Sequence, residues 1–267
     1  MLNRNFNNFK FHHKRNKNQI LYTSRKTNND REVLNLIDNF LIEKNSFIFE
    51  SVEKGKNRGR YTLIGLKPDK MWDLKGDFVT VKDGGKEKIF KTNPLKFLNK
   101  LIENFDVKIP TALPSMSSML VGYFSYDVIR YIEKIPDNCE DDLKIPDVRI
   151  SRPTNLIIYD NLKKKIFYIQ NVYNDTKINN YYEKYESINR TFELFQGYEN
   201  ISMPDKLTYK KNKNKIKSNT TKIQFTKMVK KAKEHISKGD VFQVVLSQRF
   251  ERKIEKEPLE IYNFLRK

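Results

Sequence analysis

Cysteine occurs once in the 267 residues, as Cys139, so no disulfide can form within the chain. The stapling of small secreted domains is therefore excluded, and a reducing compartment, the cytoplasm, is the expected setting. Histidine is almost as scarce, at His12, His13 and His235. The first two adjoin on a basic stretch and the third has no partner at ligand spacing, so the sequence carries no zinc signature. No apolar run approaches the ~20 residues a membrane helix needs, which predicts no membrane partner. Residues 1–17 are polar, basic and asparagine-rich with no apolar centre, unlike a secretory leader. Acids are in deficit too: 33 against 52 Lys plus Arg, a formal net charge of +19.

That surplus raises the question of a nucleic-acid partner, and two features argue against one. Lysine greatly outnumbers arginine, whereas phosphate and base recognition draws on arginine forks. The charge is also spread along the chain, the pattern left by AT-rich codons that favour Lys, Asn, Ile, Phe and Tyr. The exception is Lys206–Lys222, mostly Lys, Asn, Ser and Thr, which reads as a flexible solvated linker. A basic module without enzymatic activity stays as an alternative, whose sign would be steeply salt-dependent DNA binding.

Four parts follow from pattern. Residues 1–19 lack apolar periodicity and are expected as a disordered tail. Residues 20–198 mix helices and strands. Val33, Leu34, Ile37, Phe40 and Leu41 keep helical spacing after a capping Asp30. SFIFES and GRYTLIGL read as strands. Asp83-Gly84-Gly85 predicts a hairpin, and Asn93 before Pro94 opens a helix carrying Leu95, Leu98, Leu101, Ile102 and Phe105. Met119–Tyr126 predicts a strand leading into a helix over Asp127–Ile135 with Asp127 as cap. Asn155–Tyr159 and Lys165–Val172 read as a hairpin, and a tyrosine-rich helix runs from about Thr176 to Gln196. Residues 199–220 form the linker. Residues 221–267 begin a second domain, with Thr221 and Gln224 at capping-box spacing, an apolar stripe of Phe225, Met228, Val229, Ala232 and Ile236, and a last helix opening at Pro258. Antiparallel strands beside helices, not alternating βαβ units, predict an α+β fold of layered antiparallel sheets with flanking helices.

Gly239–Phe250, GDVFQVVLSQRF, is the most informative stretch. Gly239 suits the left-handed residue that ends a helix, and the run after it has strand composition. Alternation puts Val241, Gln243, Val245, Ser247 and Arg249 on one side and Phe242, Val244, Leu246 and Phe250 on the other. One side is apolar; the other presents an amide, a hydroxyl and a guanidinium. The plain alternative is a half-buried strand with a solvated polar face.

GDVFQVVLSQRF resembles the signature strand of the anthranilate synthase large subunit, component I, a chorismate-using lyase. Three further stretches agree in order and spacing: Ser46–Trp72, Val121–Asp137 and Ile145–Asp160. The resemblance covers nearly everything from about Ile20 to Lys267. It implies a fold of that type and a reaction of chorismate with ammonia, in the presence of Mg²⁺, to anthranilate and pyruvate. It also implies a glutamine amidotransferase partner subunit that supplies the ammonia.

Water-using relatives carry a lysine general base at the position of Gln243, where ammonia needs none. Gln243 is thus the candidate catalytic residue, with a structural amide as the alternative. The motif matched by Glu50-Ser51 helps bind tryptophan, the feedback inhibitor. The other half of that pocket, an Asn-Pro-Ser-Pro-Tyr-type segment, is expected beyond position 267, as are the Mg²⁺ ligands, so no metal site is assigned here. The expectation is accordingly an incomplete chorismate-binding domain, an inactive isolated chain and weak tryptophan binding. The folate-pathway relative that makes aminodeoxychorismate is the nearest alternative. One departure stands out: relatives commonly have Gly-Tyr-Asp where this chain has Ser125-Tyr126-Asp127, which would strain Ser125 if that glycine needs a positive φ.

Overall fold

The computed structural model describes residue 3 and residues 5–27, 30–50, 59–196 and 215–265. The chain parts into two compact units, Met1–Met203 and Pro204–Lys267. In the first, an antiparallel sheet runs in the order β1 (Gln19–Lys26), β8 (Lys165–Val172), β7 (Val148–Asp160), β3 (Tyr61–Lys75), β4 (Phe78–Asp83) and β5 (Lys86–Lys91). Two short strands join off this path: β2 (Phe47–Glu50) on β3, and β6 (Val121–Phe124) on β7.

The two long strands make one sheet serve two cores. Across β3 and β7 the register runs from Tyr61 opposite Asp160 to Leu74 opposite Val148, with a shift between Pro68 and Lys70. A bulge bends and twists a strand, so the two ends of the pair face different surroundings. One end supplies Leu63, Leu156 and Ile158 to a cluster with Ile20, Phe167 and Leu113. The other supplies Trp72, Leu74, Val148 and Ile150, which meet Val79 and Leu98. Leu98 belongs to α3 (Pro94–Glu103), whose first turn is closed by Asn93 Oδ1 accepting the Lys96 N–H at 2.9 Å. On the sheet face opposite Leu156 and Ile158, Tyr168 lies beneath α4 (Tyr181–Gln196), stacked on Phe195 and edge-on to Phe192. The β4–β5 turn is the hairpin expected from Gly84-Gly85, with φ of 55° and 82°.

Buried ion pairs lock the bend. Arg152, 7 % exposed, grips Asp69 through Nε and Nη2 at 2.9 and 2.7 Å, and Nη2 also reaches Asp175 at 2.9 Å. Burial opposes the Arg152 charge, yet the two carboxylates more than offset it and raise its pKa. The same logic holds Asp73 below the usual carboxylate range: burial pushes it up, but hydrogen bonds from Arg149 and Lys82 outweigh that.

Several expectations need correction. The amino-terminal segment is not a disordered tail. It forms α1 (Phe6–Lys14), capped by Asn5, with Phe9 fully buried. Phe6, Phe9 and His13 recur at helical spacing and meet Tyr181, Tyr182 and Tyr185 of α4. His13 Nε2 also lies 3.0 Å from the Thr176 carbonyl. Val33, Leu36 and Ile37 are the buried apolar residues of α2 (Asp30–Phe40), with Leu34 only half-buried. Beyond β6 the chain makes a short 3₁₀ turn, Tyr126–Tyr131, in place of the helix expected to Ile135. Asp127 does not cap it: its carboxylate accepts from Arg130 Nε at 2.9 Å, and Ser125 is the flanking residue. Ser125 has φ −72°, ordinary extended backbone, so it carries no strain.

Much of the expected linker, residues 199–214, lies outside the described residues. Its last part is ordered as β9 (Lys217–Ser218), and Thr221 starts α5 (Lys222–Lys238). The expected capping box is there, and Gly239 closes α5 at φ 81°. The second unit adds β10 (Phe250–Glu251), paired with β9, and α6 (Pro258–Leu265).

Candidate functional site

Glu50 is the last residue of β2, opposite Thr62 of β3. Its strand fits close to β3 because Gly65 has no side chain: a Cβ there would stand 2.0 Å from Phe47 Cε1. The Phe47 and Phe49 rings, 5.1 Å apart, take one face of β2, so alternation gives Glu50 and Ile48 the other. Glu50 is half-buried at this strand end, suited to a ligand ammonium. Ser51 and Arg58 lie outside the described residues.

Arg60, in the same sequence motif, is held elsewhere. It makes a bidentate pair with Asp160, Nε to Oδ1 at 3.0 Å and Nη2 to Oδ2 at 2.7 Å, and its guanidinium lies over the Tyr61 ring. Burial alone would raise the Asp160 pKa. Hydrogen bonds from Arg60 and from the N–H groups of Lys163 and Leu162 hold it below the ordinary carboxylate range. Arg60 therefore clamps the start of β3 onto the end of β7. Its part is structural.

Gln243 lies in the second unit, a few residues past the end of α5. The turn there is well fixed. Asp240 N–H donates to the His235 carbonyl at 3.0 Å, and Asp240 Oδ2 sits 2.8 Å from His235 Nδ1. At the far end, Asn219 and Arg249 exchange hydrogen bonds through Arg249 N–H to Asn219 Oδ1 and Asn219 N–H to Arg249 O. Between these anchors the expected strand is not formed. Only Phe250 and Glu251 pair, and Gln243 is exposed. The predicted apolar face is exposed as well, with Phe242 at 102 % and Phe250 at 64 % of full accessibility. The physical reason is simple: a strand needs ladder partners, and the described residues offer this stretch only two, in β9.

Among the described residues, two clefts of the first unit stand out, and Glu50 lines neither. One, of about 650 Å³, gathers acids beside the 3₁₀ turn, among them Asp77, Asp141 and Asp147, against Lys75 and Arg130. The other, of about 270 Å³, lies beside α4 and the β7–β8 pair and is lined by amides, hydroxyls and two lysines. Sequence reasoning passed over both, and over the Asp69–Arg152–Asp175 cluster, because each assembles residues far apart in the chain. Among the described residues, no group of three or more His, Cys, Asp or Glu side chains can hold a metal ion. None of their helices is long and apolar enough to cross a membrane.

A family model described as chorismate binding enzyme matches residues 44–267. Anthranilate synthase alpha subunit 1, chloroplastic, of Oryza sativa subsp. indica is 34 % identical over 245 residues, covering 84 % of this chain and 42 % of that protein. Anthranilate synthase component 1 of Acetivibrio thermocellus is 33 % identical over 227 residues, covering 82 % and 46 %. The crystal structure of anthranilate synthase component I from Streptococcus pneumoniae TIGR4 superimposes with a TM-score of 0.62 at 23 % identity, over 84 % of this chain and 47 % of that one. That last likeness speaks to the fold alone. The chain spans about half the length of the curated relatives it matches.

Proposed function

Because the chain belongs to the chorismate-binding enzyme family, we propose that it serves in an anthranilate synthase large subunit, component I, of tryptophan biosynthesis. The reaction adds ammonia drawn from glutamine to chorismate and releases water, pyruvate and anthranilate. The observation that carries this reading is the unbroken match over residues 44–267, which includes both Glu50-Ser51 and the stretch around Gln243. Relatives named as anthranilate synthase, from plants and bacteria, support it over the folate-pathway alternative. The chemistry of the substrate argues for an enclosed site. Chorismate is a dianion, and moving its hydroxyl-bearing ring toward amination needs positioned donors away from bulk water.

Gln243 would hold the incoming nitrogen or the substrate through a neutral amide. Free ammonia is already a nucleophile, so a charged base at this place would add nothing and would compete for protons. Gln243→Lys in a complete subunit is therefore expected to cut ammonia-dependent turnover by about 10²-fold or more. Unchanged turnover removes Gln243 from the reaction.

Glu50 and Ser51 would hold tryptophan as feedback inhibitor. The Glu50 carboxylate would pair with the ligand ammonium. Mg²⁺ would neutralise substrate carboxylates, yet the described residues offer no carboxylate set that fits it, so no step here runs through it. A glutamine amidotransferase subunit is the proposed partner and the cytoplasm the proposed location, although the plant relatives are named as chloroplastic. The 267 residues by themselves should not turn chorismate over, because Gln243 is exposed and no described residue of its unit is buried.

The test joins Met1–Lys267 to the carboxyl-terminal half of the Acetivibrio thermocellus protein. The chimera is supplied with chorismate, ammonium and Mg²⁺, and its folded state is checked by thermal melting. Anthranilate fluorescence is the expected result. Aminodeoxychorismate from the folded chimera, or turnover by the unextended chain, overturns the reading.

A further inference from the structure

We propose that the cleft beside α4 and the β7–β8 pair binds a small carboxylate bearing a hydroxyl or an amine next to it. The site belongs to the first unit alone and stands apart from the chorismate reading. Its volume of about 270 Å³ is at the small end for a ligand pocket, enough for a compact metabolite.

The floor is made of two buried amides, Asn155 at 4 % and Gln170 at 7 % exposure, which are partners across the β7–β8 ladder. The two are not in the same state. Asn155 is more fully engaged: its Nδ2 donates to the Tyr168 hydroxyl and its Oδ1 lies 2.8 Å from Thr154 Oγ1. Gln170 is half engaged. Its Nε2 donates to the carbonyls of Thr154 and Asn171 at 3.4 and 3.2 Å, which fixes the orientation of the amide. No described residue donates to its Oε1. Oε1 keeps some exposure, so it can accept a hydrogen bond from a ligand in the cleft that Gln170 lines.

The rim brings positive charge. Lys184 and Ser187, three positions apart on α4, line one side, with Thr176 nearby. Lys184 forms no ion pair with a described carboxylate. Lys67 lines the cleft too, at the sheet bend, and its backbone is in the left-handed region at φ 49°. Thr154 Oγ1 holds it there by donating to the Lys67 carbonyl at 2.7 Å. A non-glycine residue kept at positive φ is strained, and such strain recurs where function needs a fixed geometry. Among the described residues its ammonium has one ion pair, a long one of 3.6 Å to Glu43. Asp69, the carboxylate on this rim, is neutralised by the Arg152 fork.

These groups together describe the ligand. Two ammonium groups and hydroxyls suit a carboxylate, and Gln170 Oε1 can accept from a donor on the same molecule. A bare anion would make no use of that oxygen.

The test follows the Gln170 side-chain amide signals of the whole 267-residue chain by NMR, at fixed ionic strength. Three probes share one skeleton: L-malate with a hydroxyl, L-aspartate with an amine, and succinate with neither. Saturable shifts with malate or aspartate, at least 10-fold tighter than with succinate, are expected, and the better of the two identifies the donor. Lys184→Ala, at a half-exposed helical position, should weaken binding at least 10-fold, while Lys177→Ala, outside the cleft lining, leaves it unchanged. Equal response to succinate, no saturation, or shifts that persist in Lys184→Ala overturn the proposal.

Discussion

Helices α3 and α5 begin in the same way and end up in different conditions. Each has a side-chain oxygen closing its first turn, Asn93 for α3 and Thr221 for α5, and α5 adds the reciprocal Gln224 bond and a left-handed Gly239. By local chemistry α5 is the better specified helix. Yet α3 buries Leu98 against Trp72, Leu74 and Val148, while no described residue of the second unit is buried at all. The stripe of α5 is merely half-covered at Phe225, Val229 and Ala232, with Met228 at 37 % and Ile236 at 43 % exposure. Caps and periodicity determine that a helix forms and where it stops; burial depends on an opposing surface. Most helical stability comes from that second source.

If this contrast is right, damage to the first unit should be expensive and damage to the second cheap. The largest effect is expected for Arg152→Ala, which takes the cation from Asp69 and leaves Asp175 with Lys70 alone, at 2.7 Å. A loss of about 3 kcal/mol in the melting of the first unit should follow. Gly122→Ala comes next. A Cβ there would stand 1.8 Å from the Arg149 carbonyl oxygen, a backbone atom, so β6 must move away. About 2 kcal/mol and faster hydrogen exchange in β6 are expected.

Acid should separate the units by the same logic. Asp73, Asp160 and Asp175 are each pushed upward by burial and pulled further down by hydrogen bonds from Arg149, Arg60 and Arg152 respectively. A folded pKa below the unfolded one gives stability that is complete above the unfolded value of about 3.9 and is lost as pH falls through the folded value. The sheet should therefore loosen below about pH 4. The α5 capping box joins neutral side chains and should keep its helical signal there.

Thr221→Ala should cost α5 about 1 kcal/mol by far-ultraviolet dichroism and leave the melting of the first unit unchanged. The smallest effect belongs to Phe242→Ser. In this chain the ring is fully exposed, so the change should stay within about 0.5 kcal/mol. A larger loss from the matching change in a full-length relative would show that the ring packs against a surface there.

Much of this was legible in the chain, wherever the signal is short-range. The Gly84-Gly85 turn, the Asn93 and Thr221 caps and the Gly239 stop rest on residues within four positions of one another. The α+β layering followed from strand composition and hairpin spacing. What stayed hidden is built from distant parts. Phe9 has no meaning as a core residue until Tyr181 and Tyr185 stand opposite it, and Arg152 looks like any surface arginine until the bulge carries Asp69 to it. The stretch around Gln243 misled in the other direction. Its alternation is real, but alternation reports two faces and not a ladder, and only Phe250 and Glu251 found partners. Of the candidate site, the position of Glu50 on a strand was foreseen, Ser51 lies outside the described residues, and the Gln170 cleft left no mark in the sequence.

The pairing of Tyr61 with Asp160 at the centre of the sheet has a consequence for synthesis. The clamp that secures it, Arg60 to Asp160, spans 100 positions. A ribosome adding ~5–20 residues each second therefore exposes an apolar β3 for several seconds before its central neighbour emerges. The hairpin of β3 with β4 can form during that wait, but the Leu63–Leu66 segment cannot shelter against β7, and it is there that a holdase chaperone would find its grip.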